Sequence, residues 1–533
     1  MSRILIRGGM VIDGTGGPGS KTEIAIDDGV ITAVAPAIDQ TGRTVLEADG
    51  LVVAPGFIDL HSHTDGSLFA NPLSDSKLSQ GVTTEVTGNC GIGIFPTSPN
   101  RRQELAAYLN MHGFSLSPQG ISWTDFDEYA AHIDQLGIGP NLAPLIGHGV
   151  LRMAVMGSDN RPPAKDEMRE MKILLQRSLQ QGAWGLSTGL IYPPGSYSQT
   201  DELLELAGVA AGYDALFTSH VRGESETLLD SVDEIIQIGQ RSGARVQISH
   251  LKALGRPHWG KGKLALDAIL AARHSGVDIG ADQYPYEASS TALSVLVPQW
   301  AHSGGVDNLL QRLDLAELRQ QLKIEIGREV NVRGGADRIM IAGIGAAPNQ
   351  PLIGKTVAEI ATLWQCVPED AVIRLLLNAD GAVSAIFFSI SEADMEYILS
   401  CPQVAIGSDG RGINAERDHG ESVHPRSYGT FSRILGRFVR EKNLLPLETA
   451  IYKMTGLPAE RLRLADRGQI RPGFAADLTL FDPAVVGDQA TFTSPHHYSI
   501  GFKYVFVNGQ VVVKDDQLTG NAPGRVLRKM QTT

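Results

Sequence analysis

The residues with the most chemical potential open with Gly56-Phe-Ile-Asp-Leu-His61-Ser-His63-Thr-Asp65. Positions two apart share one face of a strand, so Asp59, His61 and His63 point one way while Ile58 and Leu60 point the other. Alone, His-x-His is a weak motif, more readily read as two exposed or hydrogen-bonded histidines. Four further residues change its weight. His220 closes Leu216-Phe-Thr-Ser-His220, and His250 closes Val246-Gln-Ile-Ser-His250. Cys90 follows a β-branched run in Thr87-Gly-Asn-Cys90-Gly, and Asp409 follows another in Ile406-Gly-Ser-Asp409-Gly. Any one of them reads most simply as a packed or capping residue, but all lie at the C-terminal end of an expected strand. A thiolate with several imidazoles is a zinc donor set by ligand softness. A carboxylate beside the metal can take a proton from water and deliver it to a leaving amine.

Such a site needs strands whose C-terminal ends meet. Eight short apolar runs qualify: Gly56–His61, Thr83–Thr87, Leu142–Gly147, Ala183–Ser187, Leu216–Ser219, Val246–Ser249, Val277–Ala281 and Val404–Gly407. Between them apolar residues recur at helical spacing, as in Met168, Met171, Leu175, Leu179; in Leu228, Leu229, Val232, Ile235, Ile236; and in Leu264, Ala268, Ile269, Ala272. Alternating strands and helices imply a parallel sheet with crossover helices, and eight strands predict an α/β fold with a (β/α)8 TIM-like barrel. A doubly wound sheet is the alternative. Ile58 and Leu60 would then pack under the outer helices while the imidazoles project inward at the rim. Residues 288–402 are too long for one crossover and predict an inserted lid subdomain between strands 7 and 8, built on helical stripes at Leu309, Leu310, Leu313 and at Leu315, Leu318, Leu322. Both ends are β-rich with Gly-rich turns. They predict a small β-sandwich domain built from residues 1–55 and 465–533 around a barrel of residues 56–464.

Composition narrows the function classes. Forty-six Lys and Arg against 59 Asp and Glu leave a net charge of −13, which disfavours binding to a phosphate backbone. No run of about 18 apolar residues exists, so neither a membrane span nor a nucleic-acid partner is expected. Cys90, Cys366 and Cys401 are too few and too scattered for a disulfide framework, and a reducing cytoplasm is the expected compartment.

The motifs also resemble a known family. The His-x-His strand, the histidines closing strands five and six, and the Gly-Ser-Asp-Gly of strand eight are similar to the amidohydrolase superfamily. Gly88-Asn-Cys90-Gly, Gly185-Leu-Ser-Thr-Gly-Leu-Ile-Tyr192-Pro-Pro-Gly, Ser219-His220-Val-Arg222-Gly-Glu224, Ser249-His250-Leu-Lys252, Asp282-Gln-Tyr284-Pro-Tyr286 and His424-Pro-Arg-Ser-Tyr-Gly-Thr-Phe resemble the N-acyl-D-amino-acid deacylases, or D-aminoacylases, within it. Strand four lacks the lysine that many superfamily members carboxylate to bridge two metals, and Cys90 is the available bridge. The resemblance implies one tight Zn2+ on Cys90, His220 and His250, and a second, weaker position on His61 and His63 that shares Cys90.

The implied reaction is zinc-dependent hydrolysis of the amide bond of small-molecule N-acyl-D-amino acids, with Asp409 as general acid and base. Lys252 lies two residues past His250, on the same face if the strand continues, and is the expected anchor for the substrate carboxylate. The resemblance adds Tyr192, Tyr284 and Ser289 as hydrogen-bonding residues. Arg222 and Glu224 read as an ion pair fixing their loop, His148 as a rim residue, and His424 and Arg426 as motif residues without a derivable role. Three alternatives stay open: a deacylase restricted to acyl-D-glutamate or acyl-D-aspartate, a cyclic amidase of hydantoinase or dihydroorotase type, and a non-catalytic scaffold. The absent strand-four lysine weighs against the cyclic amidase, and the full donor set against the scaffold.

Overall fold

Each of the eight expected strands is present in the computed structural model, which describes residues 3–114, 116, 119–345, 351–417 and 420–530. They are Phe57–Asp59 (β1), Val82–Thr87 (β2), the two pieces Asn141–Pro144 and Ile146–Gly147 (β3), Gly185–Gly189 (β4), Leu216–His220 (β5), Arg245–Ile248 (β6), Ile279–Gln283 (β7) and Val404–Ile406 (β8). The chain is mixed α/β. β1, β2 and the first piece of β3 form one parallel sheet, and the second piece of β3 begins another that runs in order to β8. Around Leu145 the two sheets are continuous in hydrogen bonding, with Leu145 N donating to Thr87 O and Trp184 N to Pro144 O. Past the far edge, Asp409 N donates to His61 O at 2.7 Å and His63 N to Gly410 O at 2.9 Å, linking the ends of β8 and β1.

The crossovers are helices Lys165–Gln180, Thr200–Gly212, Leu228–Ser242 and Lys261–His274. The helix Leu228–Ser242 ends on Gly243 at φ +71°, a left-handed cap in which a side chain would be strained. Of the stripe read from sequence in Lys261–His274, Ile269 and Ala272 are buried, whereas Leu264 and Ala268 face solvent and Gly262, Ala265 and Leu266 complete the buried face. Ile58 and Leu60 pack with Val86, Ala143, Leu145, Ala405 and Leu457, on the side of the strands away from the imidazoles.

The long connection between β7 and β8 holds more than the expected helices. Ser289–Ala292, Val383–Phe387 and Ile339–Ile344 form a three-stranded antiparallel sheet in that order. Helices Val306–Asp314, Arg319–Val332, Val357–Leu363 and Pro368–Asn378 accompany it. Of the second stripe only Leu322 is buried within a helix, because Arg319–Val332 starts after Leu315 and Leu318. The ends of the chain meet in one sheet: Val52–Pro55 runs antiparallel to Leu478–Phe481, which continues through Phe502–Val507 to Gln510–Lys514. A second sheet, of Val30–Ala35, Glu23–Asp27, Arg3–Arg7 and Thr44–Glu47, shares with it a core of Ile6, Ile24, Val53, Leu480 and Phe506. Residues 346–350 of the long connection and 1–2 and 531–533 of the ends lie outside the described residues.

Beneath the donor residues sits a buried charge cluster. The Lys77 ammonium, fully buried, donates to Asp59 Oδ2 and Ser408 Oγ at 2.6 Å each and to Gly410 O at 3.2 Å. Glu85 Oε2 lies 3.4 Å from it and accepts from Ser62 and Thr64. Asp59 Oδ1 accepts in turn from the His61 and Ser408 backbones. One cation thus ties the ends of β1, β2 and β8 into a single register. Removing one partner of a buried ion pair leaves the other uncompensated. Lys77→Met is therefore expected to lower folding stability by about 3–5 kcal/mol, read as a lower denaturant midpoint. A loss below about 1 kcal/mol would show that the two carboxylates do not depend on this cation.

Candidate metal centre

The short loops after the strands carry the donors. Cys90, His250 and Asp409 adopt left-handed backbone at φ +55°, +36° and +50°. Such geometry is costly for residues with side chains and persists where surrounding structure enforces it. Glycine supplies the enforcement at Cys90: a Cβ on Gly189 would stand 1.9 Å from the Cys90 carbonyl oxygen, so the loop lies directly on β4.

Two donor groups result, sharing one sulfur. His61, His63, Cys90 and Asp409 present ligand atoms all within 4.8 Å of one another, as do Cys90, His220 and His250. Cys90 Sγ is 3.3 Å from His61 Nε2 and 3.5 Å from His250 Nε2. Asp409 Oδ1 is 3.1 Å from His63 Nε2, and its Oδ2 is 2.8 Å from Arg426 Nη1. Neither ring nitrogen of buried His220 completes a hydrogen bond with the described residues. A thiol amid imidazoles, with buried nitrogens left without partners, fits a soft divalent cation such as zinc. The residues that can hold it are Cys90, His220 and His250, and, on the other side of the sulfur, His61 and His63.

The electrostatics suit that use. Burial pushes the Cys90 thiol up, but the facing His61 and His250 rings override it and hold the thiol well below its ordinary range. Burial likewise opposes ionisation of Asp409, and the Arg426 guanidinium with the nearby imidazoles outweighs it, so the carboxyl lies well below its usual value. Behind the rings, carboxylates set orientation. Asp282 Oδ1 is 3.2 Å from His61 Nδ1 and accepts from His250 N, while Glu224 faces His220 Nε2 and His250 Nδ1 at 3.5 Å each.

The expected substrate residues are placed as follows. Lys252 is buried, and its ammonium donates to Glu224 Oε1 at 2.5 Å, with His250 Nδ1 at 2.8 Å. Lys252 Nζ and the Arg426 guanidinium lie 5.7 and 4.9 Å from the centroid of the Tyr284 ring. Tyr192 lines the cavity beside His63 and Asp409, its hydroxyl 3.0 Å from Thr291 Oγ1. Ser289 is buried and pairs in register with Phe387, and its neighbours Ser290 and Thr291 form the cavity wall. Arg222 and Glu224 do not pair with each other. Arg222 binds Glu234 at 3.0 Å, freeing Glu224 for Lys252 and the two histidines. His148 is held by Glu202 at 2.8 Å, and His424 by Ala288 O at 2.9 Å and the Arg426 backbone. Sequence reading missed His112, whose buried Nε2 has no partner among the described residues and whose ring is 5.1 Å from that of Tyr192. It ends a helix with no motif around it, so no signal marked it. Burial pushes its pKa down to about 3, leaving it neutral.

Comparison with known proteins bears on this arrangement. The amidohydrolase family model matches residues 44–286 and 404–513. The chain is 34% identical to a D-aminoacylase of Alcaligenes xylosoxydans xylosoxydans over 99% of its length and 97% of that protein's. It is 36% identical to an N-acyl-D-aspartate deacylase of the same organism, over 98% and 94%. The crystal structure of an N-acyl-D-glutamate deacylase from Bordetella bronchiseptica, complexed with zinc and a phosphonate mimic of the tetrahedral intermediate, is similar at a TM-score of 0.82. That similarity comes with 34% identity and covers 99% of this chain and 100% of that one.

Two measurements test the site. Cys90→Ser is expected to lose metal at both positions, so metal content after dialysis falls to background; retention of one equivalent would show that the sulfur is not shared. Glu224→Gln is expected to weaken the tight position by about 10–100-fold in a chelator competition. An unchanged affinity would remove Glu224 from the metal's support.

Proposed function

The chain belongs to the amidohydrolase family, and from that premise we propose that it hydrolyses the amide bond of N-acyl-D-amino acids to a D-amino acid and a carboxylate, using zinc. The observation that carries this reading is the pair of donor groups meeting on Cys90 beside the carboxylate of Asp409. In the same reading the eight strands close into a (β/α)8 barrel, supported by the hydrogen bonds around Leu145 and between Asp409 and His61. The β-rich ends, 1–55 with 465–533, form the accessory β-domain. The insertion, 288–402, serves as a lid, supported by Ser290, Thr291, Ala342 and Ser384 lining the cavity beside Asp409.

Zinc held by Cys90, His220 and His250 supplies Lewis acidity, which lowers the pKa of water from about 15.7 to about 7 and polarises an acyl carbonyl. Asp409 is unprotonated, as a proton acceptor must be, and Arg426 on Oδ2 leaves Oδ1 turned towards the imidazoles. It takes the proton from the attacking water and delivers it to the departing nitrogen. The substrate α-carboxylate sits beside Arg426, which lines the cavity, with Lys252 behind it; the two cations already hold Asp409 and Glu224, so the substrate joins a shared ion-pair network, where a pair at about 4 Å is worth ~4 kcal/mol against ~1 in water. Tyr192 and the wall at Ser290 and Thr291 supply hydrogen bonds. Ile92 and Phe114 help to exclude water from the cavity.

Asp409→Asn is expected to keep its zinc while kcat falls by about 10²–10⁴-fold. A variant with near-normal kcat would remove Asp409 from the proton transfers. A panel of N-acetyl-D- and N-acetyl-L-amino acids, run on protein of measured zinc content, tests the reaction itself. Turnover of the D series is the expected result, and zinc-loaded protein inert towards both series would overturn the reading.

A further inference from the structure

Beside the reaction centre lies a cavity of about 300 Å³, lined among others by Tyr192, His112, Glu224, Leu254, Val297 and Arg333. Tyr192 and His112 also line the cavity next to Asp409, so the two spaces adjoin. Arg333 is only 8% exposed and lies over the Phe387 ring at 4.7 Å. Among the described residues its Nε has no acceptor and no carboxylate is within ion-pairing distance of its guanidinium.

The other cations of the two cavities are all matched. Arg222 binds Glu234, Arg411 binds Glu421 and Arg426 binds Asp409. Lys252, behind them, binds Glu224. Glu329, one turn earlier on the helix that Arg333 ends, shares the cavity without pairing to it. Burying a guanidinium without an anion is unfavourable, and its planar fork fits a carboxylate with two parallel hydrogen bonds. A ligand anion is the partner that the fold withholds.

We propose that Arg333 forms a second anion subsite beside the reaction centre, for a carboxylate that the substrate carries in addition to its α-carboxylate. The inference rests on the deacylase reading above and deepens it: the substrates are dianionic. The second carboxylate can belong to the leaving amino acid or to the acyl group, and both present the same chemistry to Arg333.

The test measures kcat/KM of the zinc-loaded full chain on N-acetyl-D-glutamate, N-succinyl-D-leucine and N-acetyl-D-leucine. At least one of the first two is expected to exceed the third by about tenfold or more, and which one does so identifies the source of the charge. In Arg333→Met that ratio is expected to fall by about tenfold, and in Arg333→Lys to recover in part. Preference for N-acetyl-D-leucine over both dianions in the unaltered chain overturns the proposal without recourse to any variant. So does a ratio that Arg333→Met leaves unmoved. Failure to hydrolyse any of the three would defeat the deacylase reading as well, whereas turnover without discrimination defeats the Arg333 subsite alone.

Discussion

The structure depends on one buried sulfur placed where imidazoles converge from opposite sides. Cys90 Sγ lies 3.3 Å from a ring that follows β1 and 3.5 Å from one that follows β6. A thiolate so deep is tenable only beside positive charge. That requirement fixes which strands must be neighbours, how far their ends extend and what lies behind them. Asp282 and Glu224 hold the rings from behind, and Lys252 balances Glu224. Each carboxylate below the donors answers a charge above or beside it.

The same requirement accounts for where the backbone is strained. Strands deliver side chains alternately to two faces, yet the donors must turn inward within a few residues of each strand end. Left-handed geometry at Cys90, His250 and Asp409 makes those turns. Neighbouring glycines permit the close approach, and the Lys77 cluster holds the ends of β1, β2 and β8 against the strain.

Much of this was legible in the sequence, for physical reasons. Period-two alternation assigned Ile58 and Leu60 to packing and His61 and His63 to the opposite face, and the structure packs Ile58 and Leu60 against Ala405 and Leu457. Strand existence was readable from short β-branched runs. What stayed hidden depended on distant partners. Arg222 and Glu224 look like a natural pair two residues apart, but Glu234, nearly two helical turns into the following helix, claims the arginine. The strand Ser289–Ala292 carries no apolar alternation, and Ile339–Ile344 pairs with Val383–Phe387 through an irregularity at Gly343, so neither announced a sheet. Lys77 lies on a short helix in a stretch that reads as polar surface. Leu264 misled because an exposed leucine at helical spacing looks like core.

The division of labour between the two parts of the site follows from where each comes in the chain. The donor residues stand at ends of β1, β2, β5, β6 and β8, within the two segments matched by the amidohydrolase model. The residues that shape the adjoining cavities, among them Thr291, Ala342, Ser384 and Arg333, fall in the unmatched stretch 287–403. Metal ligation tolerates errors of only tenths of an ångström, which rigid strand ends tolerate and long excursions do not. Recognition of a substituent a few ångströms away needs only the right charge and volume, and a separate three-stranded sheet with its own helices can change both without disturbing the donors. In the proposed reading the chemistry rests on the parallel strands, and the excursion between β7 and β8 adds part of the cavity wall to the recognition residues that the matched segments carry.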